Sequence, residues 1–255
     1  MKRTIFDKFL NSSRFRNLVF PILIFLVVFL GSVYKVDERL NNDEWLWVPI
    51  GVRFVDALEN KDFAATHLST RPGVSVSWIS GITTQIATSN NLATVNNLGS
   101  DVYIDKRGYI INRIVFAFVF GILSVALFFL IKRLVGWRKA ALVSLLVATH
   151  PLVLLKSDTV WTDLMLAFLM LLSLTSYMVF VKESKKKFLY LAGVLFGLAV
   201  STKTIGIGLL PVFLLGPILY KKGRLKDTLI STLIAGAIGF GVFFLIYPYL
   251  WHNPF

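Results

Sequence analysis

What this chain can fold into is set by six long apolar runs, at residues 17–34, 109–131, 140–155, 163–181, 188–220 and 229–251, with short basic segments between most of them. Runs of this kind match the hydrocarbon thickness of a bilayer. In hydrocarbon every backbone N–H and C=O must find a partner inside the protein, and these runs are too long for barrel strands, so they read as helices. The composition agrees. With 56% hydrophobic residues, 16% charged residues and a mean hydropathy of +0.70, the chain departs from water-soluble composition.

The positive charge is gathered rather than spread. One group holds Lys2, Arg3, Lys8, Arg14 and Arg16, and a second holds Lys132, Arg133, Arg138 and Lys139. A third holds Lys182, Lys185, Lys186 and Lys187, and the last holds Lys221, Lys222, Arg224 and Lys226. With Asp7, Glu183 and Asp227 these segments sum to +14, and the rest of the chain sums to −1, within a total of +13. Lys and Arg concentrate in cytoplasmic loops, so the imbalance reports topology and not nucleic-acid binding. It predicts a multi-pass protein of the cell (cytoplasmic) membrane, embedded in the lipid bilayer, with a cytoplasmic amino terminus. There are no cysteines, which removes disulfides, thiolate chemistry and cysteine-held metals.

Parity then counts the spans. Run 17–34 lacks a small-residue cleavage site and is read as an uncleaved first helix. Segment 35–108 is therefore outside, and 109–131 returns the chain. Residues 140–181 have basic clusters at both ends, so they form spans 140–155 and 163–181 with a turn near 156–163. Run 188–220 is bounded in the same way. It divides into 188–202 and 204–220 around Thr202-Lys203-Thr204, where Gly206 and Gly208 loosen helix. With 229–251 added, the expected architecture is an all-α integral membrane protein. It has about seven transmembrane helices in a single domain, 1–255, and a large extracytoplasmic first loop.

That loop is not a plain connector. Within 43–60, Leu46, Trp47, Ile50, Phe54 and Leu58 recur at near-helical spacing behind Asp43 and Glu44, which suit a helix amino terminus. Segment 72–87 offers Val74, Val76, Trp78, Ile79 and Ile82. Both are expected to be short interfacial helices, with Trp45, Trp47 and Trp78 as belt residues. The polar stretch 88–101 is expected to be a mobile loop.

The same topology puts Asp43, Glu44, Arg71, Arg113, Lys156, Asp158, Asp163 and Lys203 at the outer boundary. Ionisable groups near membrane depth are costly and tend to mark a site. Carboxylates beside cations suit an anionic substrate that reacts by proton transfer, with a carboxylate as general base and Arg or Lys on a phosphate. Simpler readings stand beside these. Asp163 caps a helix; Lys156 and Lys203 snorkel; Arg113 anchors at headgroup level; Asp43 and Glu44 only start a helix. His67, His150 and His252 lack metal-ligand spacing, so no metal site is assigned. No cofactor is called for, and a divalent metal requirement is left open.

Two sets of residues together resemble a known family. The first runs from Asp43-Glu44-Trp45 through Asp56-Ala57-Leu58-Glu59-Asn60-Lys61-Asp62-Phe63 and Thr66 to Arg71-Pro72-Gly73-Val74 and Trp78. The second takes in Arg113, Gly136, His150-Pro151, Trp161-Thr162-Asp163-Leu164 and Phe168-Leu169. It continues with Gly193 to Ala199, Thr202-Lys203, Pro211, Tyr247-Pro248 and Trp251-His252-Asn253-Pro254. The chain resembles the protein O-mannosyltransferase-like glycosyltransferases of the C-type superfamily, which use polyprenyl-phosphate-linked sugars. The lipid A aminoarabinose transferases are more distant relatives.

The resemblance implies transfer of a sugar from a polyprenyl-phosphate donor to a hydroxyl of a protein, lipid or glycan acceptor, on the extracytoplasmic face and with inversion. It implies Asp43 as the catalytic base, with Glu44 supporting it or orienting the acceptor. Arg71, Arg113 and Lys203 become candidates for the lipid phosphate, and Asp163 for the substrate site. Asp43, Asp163 and Lys203 are expected around one outward cavity. The chain departs from the family where Arg71 and Trp161 stand in place of histidines. It also carries fewer helices than its relatives, which implies an amino-terminal portion of a longer pattern. The competing classes are a transporter or flippase of a lipid-linked or anionic substrate, and a non-catalytic membrane scaffold. A transporter would show repeats and midplane charges, and neither is seen here.

Overall fold

The computed structural model describes residues 12–34, 36–37, 42–70, 72–98, 101–157, 159–219 and 225–252. Helices dominate. A π-helical turn (Phe15–Val19) leads into α1 (Phe20–Val33), and the outer segment forms α2 (Asn42–Glu59) and α3 (Val74–Ser89). A hairpin follows, β1 (Val95–Leu98) and β2 (Asp101–Ile104), and then α4 (Lys106–Val135). Next come α5 (Trp137–Ala148), α6 (Pro151–Lys156), α7 (Thr162–Glu183) and α8 (Lys186–Thr202). A 3₁₀ turn (Thr204–Gly208) precedes α9 (Leu209–Leu219), α10 (Leu225–Ile246) and the short α11 (Tyr249–His252).

The described parts of the apolar runs are largely helical, and among the described residues four helices are long and apolar enough to cross a membrane: Phe15–Val33, Lys106–Val135, Thr162–Glu183 and Leu225–Ile246. The shortfall in the others has local causes. Run 140–155 is not one helix, because Pro151 has no N–H to continue α5 and instead opens α6 as its first residue. The His150 side chain caps that new start, accepting from Leu152 N at 3.2 Å. Run 188–220 reverses at Lys203–Gly208, where Gly206 folds so tightly onto α8 that a Cβ would lie 2.9 Å from the backbone of Ala199 and Val200.

The bundle is held as membrane bundles are, by close-packed small residues, hydroxyls and aromatic rings. Phe20 of α1 meets Phe128 of α4 at 5.2 Å, and Phe120 of α4 meets Phe168 of α7 at 5.5 Å. Ser173 and Ser176 of α7 donate to Ala192 O and Phe188 O of α8 at 2.7 and 2.9 Å. Between α8 and α10 the backbones nearly touch, since a Cβ on Gly197 would lie 2.4 Å from Gly239 O.

The two ends of the bundle differ in their contacts. At one end Lys132 binds Asn17, Arg133 pairs with Glu183 at 3.0 Å, and Lys182 Nζ donates to Leu134 O at 2.6 Å. At the other, Ser32 meets Ser157, Gly73 N donates to Thr202 O at 3.1 Å, and Trp78 Nε1 donates to Ile246 O at 2.8 Å. Among the described residues, the basic segments around Lys132–Arg133 and Lys182 therefore share one end with Asn17, and the segment between α1 and α4 docks on the other.

Two expectations for that outer segment need correction. Stretch 88–101 is not a structureless loop, because Val95–Leu98 pairs antiparallel with Asp101–Ile104 in the register Val95↔Ile104 and Leu98↔Asp101. Asp105 closes the hairpin and caps α4, accepting from Gly108 N at 2.9 Å. Burial pushes its carboxyl up, but the backbone N–H groups of Gly108 and Thr94 and the neighbouring Arg107 outweigh this and hold it below the usual carboxylate range. Nor is Trp47 a belt residue. It is 2% exposed and belongs to the core, while Trp45 on the adjacent face is 53% exposed.

Helices α2 and α3 cross at glycine. A Cβ on Gly81 would lie 2.2 Å from Gly51 O, and one on Gly51 would lie 2.7 Å from Gly81 N. A side chain here must push backbone from backbone. Gly81→Val is expected to lower stability by about 1–3 kcal/mol, the usual cost of overpacking. Gly241→Ala, with nothing within 4 Å of its Cβ, should leave it nearly unchanged. Thermal unfolding of the two variants in one detergent checks this, and equal midpoints would contradict the close crossing.

Candidate active site

Among the residues singled out above, four form two ion pairs at the end of the bundle where α2 and α3 dock, and one carboxylate, Asp43, belongs to neither. The first pair is buried. Glu44, in the first turn of α2, is 0% exposed and Arg113, in the second turn of α4, is 2% exposed. The guanidinium meets the carboxylate fork to fork, Nε to Oε1 at 2.8 Å and Nη2 to Oε2 at 2.7 Å. Its Nη1 donates to Val36 O at 2.6 Å. This bidentate geometry is the strongest that a guanidinium makes. It ties the start of α2 to α4 and to the end of the α1 connection. With its donors so occupied, Arg113 is better placed to hold Glu44 than to contact a phosphate.

Asp43 precedes Glu44 in the same turn, is partly exposed, and takes no part in that pair. Four residues on, Trp47 lies on the same side of α2 and packs beneath the turn at Pro72-Gly73. Gly73 has φ +58°, and a Cβ there would lie 1.9 Å from the Trp47 ring, so both the backbone and the contact demand glycine. From this turn the contacts reach α8. Gly73 N donates to Thr202 O, and Ser75 Oγ lies 2.5 Å from Thr202 Oγ1.

Thr202 is followed by Lys203, whose Nζ lies 2.5 Å from Asp163 Oδ1 at the start of α7. This second pair is wetter, with Lys203 19% and Asp163 50% exposed. Exposed pairs of this kind contribute little to stability, so breaking the contact between Lys203 and Asp163 costs little. Nearby, Lys156 Nζ sits 5.0 Å from the centre of the Trp161 ring, a favourable cation–π distance.

Of the six residues singled out in the sequence, the structure joins Glu44 to Arg113 and Asp163 to Lys203. Asp43 stands one turn from Trp47, through which α2 reaches the second pair. Arg71 lies outside the described residues, as does the boundary charge Asp158. Among the described residues no group of three or more His, Asp or Glu side chains could hold a metal ion.

One contact was invisible in the sequence. His67 Nδ1 lies 2.6 Å from Tyr247 Oη, its ring 4.6 Å from that of Tyr249, and Phe63 packs on Trp251 at 5.3 Å. The segment after α10 is thereby fastened to the outer loop. The partners His67 and Tyr247 lie 180 positions apart, and no local spacing announces them.

Comparison with known proteins adds one finding. A family model described as dolichyl-phosphate-mannose-protein mannosyltransferase matches residues 59–251, a stretch that begins after Asp43 and Glu44 and includes Arg113, Asp163 and Lys203. No curated protein matches the chain.

Proposed function

The chain belongs to the dolichyl-phosphate-mannose-protein mannosyltransferase family, and we propose that it moves a sugar from a polyprenyl-phosphate donor to an acceptor hydroxyl at the outer end of its helix bundle. With the basic end in the cytoplasm, that site is extracytoplasmic. The acceptor is a hydroxyl of a protein, lipid or glycan.

The chemistry is a single displacement. Asp43 takes the proton of the acceptor hydroxyl as its oxygen attacks the anomeric carbon. The bond from that carbon to the phosphate oxygen breaks, and the polyprenyl phosphate leaves with the bonding pair. The new glycosidic bond forms on the opposite face, so the configuration inverts. Lys203 meets the charge that grows on the leaving phosphate, with Asp163 holding it in place between turnovers and Arg71 as a second cation. Asp43, Asp163 and Lys203 then face one cavity. Glu44 and Arg113 set the first turn of α2 and so position Asp43.

The observation that carries this reading is the buried fork of Arg113 on Glu44. It spends a charged pair on fixing one helical turn, and that turn presents the carboxylate that the chemistry needs. Two measurements test the reading. The glycosidic product should have the anomeric configuration opposite to the donor's, by NMR coupling; retention would exclude a single displacement. Lys203→Ala should raise the donor KM with little change in that of the acceptor, and an unchanged donor KM would remove Lys203 from the phosphate.

A further inference from the structure

The basic end of the bundle holds a cavity of about 270 Å³ that the proposed transfer does not use. It opens where α7, α8 and α10 meet, and its walls are of two kinds. Lys186, Tyr190 and Asp227 supply the polar groups, while Leu189, Ile230 and Ile234 supply an apolar track along the helices.

Its charges are uncommitted. Lys185 holds Glu183 at 3.0 Å and Lys187 lies 5.3 Å from the centre of the Phe188 ring. By contrast, neither Lys186 nor Asp227 has an ion-pair partner among the described residues. Two opposite charges line one small cavity without meeting, which leaves room for a group that satisfies both. Lys185 and Lys187 flank Lys186 in sequence and Lys226 precedes Asp227, so the segments that carry the cavity's polar groups are basic and favour an anion. The Tyr190 ring, 48% exposed, stands where a headgroup-level aromatic belongs.

We propose that this cavity seats an anionic phospholipid of the leaflet at the basic end. Its phosphodiester lies against Lys186, a headgroup hydroxyl donates to Asp227, and an acyl chain follows Leu189, Ile230 and Ile234. Basic pockets between spans recognise such headgroups. Asp227 disfavours a multiply charged headgroup and selects a single phosphodiester that carries a donor, as in phosphatidylglycerol. A soluble phosphate has the same anionic chemistry but no use for the apolar track.

The test is thermal unfolding of the purified full chain in detergent, titrated with phosphatidylglycerol, with phosphatidylcholine of the same acyl chains, and with glycerol phosphate. Phosphatidylglycerol should raise the midpoint saturably, at about fivefold lower concentration than phosphatidylcholine, the factor that one Lys beside an anionic surface contributes. Lys186→Gln should erase that advantage, and Lys139→Gln, on α5, should keep it. Asp227→Asn should weaken phosphatidylglycerol in the same assay. Equal response to both lipids, or a Lys186→Gln protein that keeps the preference, would overturn the site. A shift of equal size with glycerol phosphate would assign the pocket to a soluble phosphate instead.

Discussion

Replacing Arg113 with alanine is expected to remove about 3–5 kcal/mol of stability, because it leaves the carboxylate of Glu44 buried without a partner. Few single changes in this chain should cost more. A loss of that size approaches the whole margin of many folded domains, so the variant should express poorly or unfold at much lower temperature. The reverse change, Glu44→Gln, strands a guanidinium with fewer acceptors and should also destabilise. The informative variant is the double one. Replacing both residues with methionine removes both charges together, and such swaps are often neutral or stabilising. Thermal unfolding should therefore show the double variant recovering most of what Arg113→Ala loses. If Arg113→Ala unfolds as the parent does, the buried pair is not an anchor for α2.

Asp43→Asn is expected to lower sugar transfer by about 10²–10⁴-fold, the usual contribution of a general base, with the unfolding midpoint unchanged. The carboxylate is partly exposed and outside both ion pairs, so its charge is not needed to hold the fold. Asparagine keeps the shape and loses the basicity. Initial rates at matched expression read the effect, and Asp56→Asn, at an exposed position of the same helix, should keep the parent rate. An Asp43→Asn protein that transfers at the parent rate would place the base elsewhere. The methionine double variant links the two predictions. It should fold well yet transfer slowly, because the turn carrying Asp43 has lost its tether.

Much of the architecture was legible because it is written in patterns of charge and hydropathy. The two-ended sorting of Lys132, Arg133 and Lys182 against Thr202, Trp78 and Ile246 follows from which runs are flanked by lysine. The outer helices were legible in the spacing of Leu46, Trp47, Ile50, Phe54 and Leu58. Hydropathy misleads where backbone chemistry overrides it. Run 140–155 is apolar apart from Ser144, Thr149 and His150, yet Pro151 divides it into α5 and α6, and four helices of full crossing length stand among the described residues. The hairpin at Val95–Ile104 is polar and short, and neither property marks a strand on its own.

Periodicity also says which face of α2 is apolar but not what covers it. It could not tell that Trp47 would lie beneath Gly73 rather than in a headgroup layer. The candidate residues could be listed from the sequence, but their pairing could not. Glu44 and Arg113 lie 69 positions apart, and Asp163 and Lys203 lie 40 apart. Nothing in either neighbourhood names the partner. Topology placed all four at one membrane boundary, and only packing decided which cation meets which carboxylate. That decision separates the two cations, since Arg113 is buried on Glu44 while Lys203 stays partly exposed.

The measurement that bears most directly on the central claim is transfer of labelled mannose from polyprenyl-phosphate mannose, in membranes with and without this chain. The expected result is label moving to a hydroxyl acceptor only when the chain is present, with free polyprenyl phosphate released in equal amount. No transfer above the membranes lacking the chain, or label released to water with no glycosidic product, would contradict it.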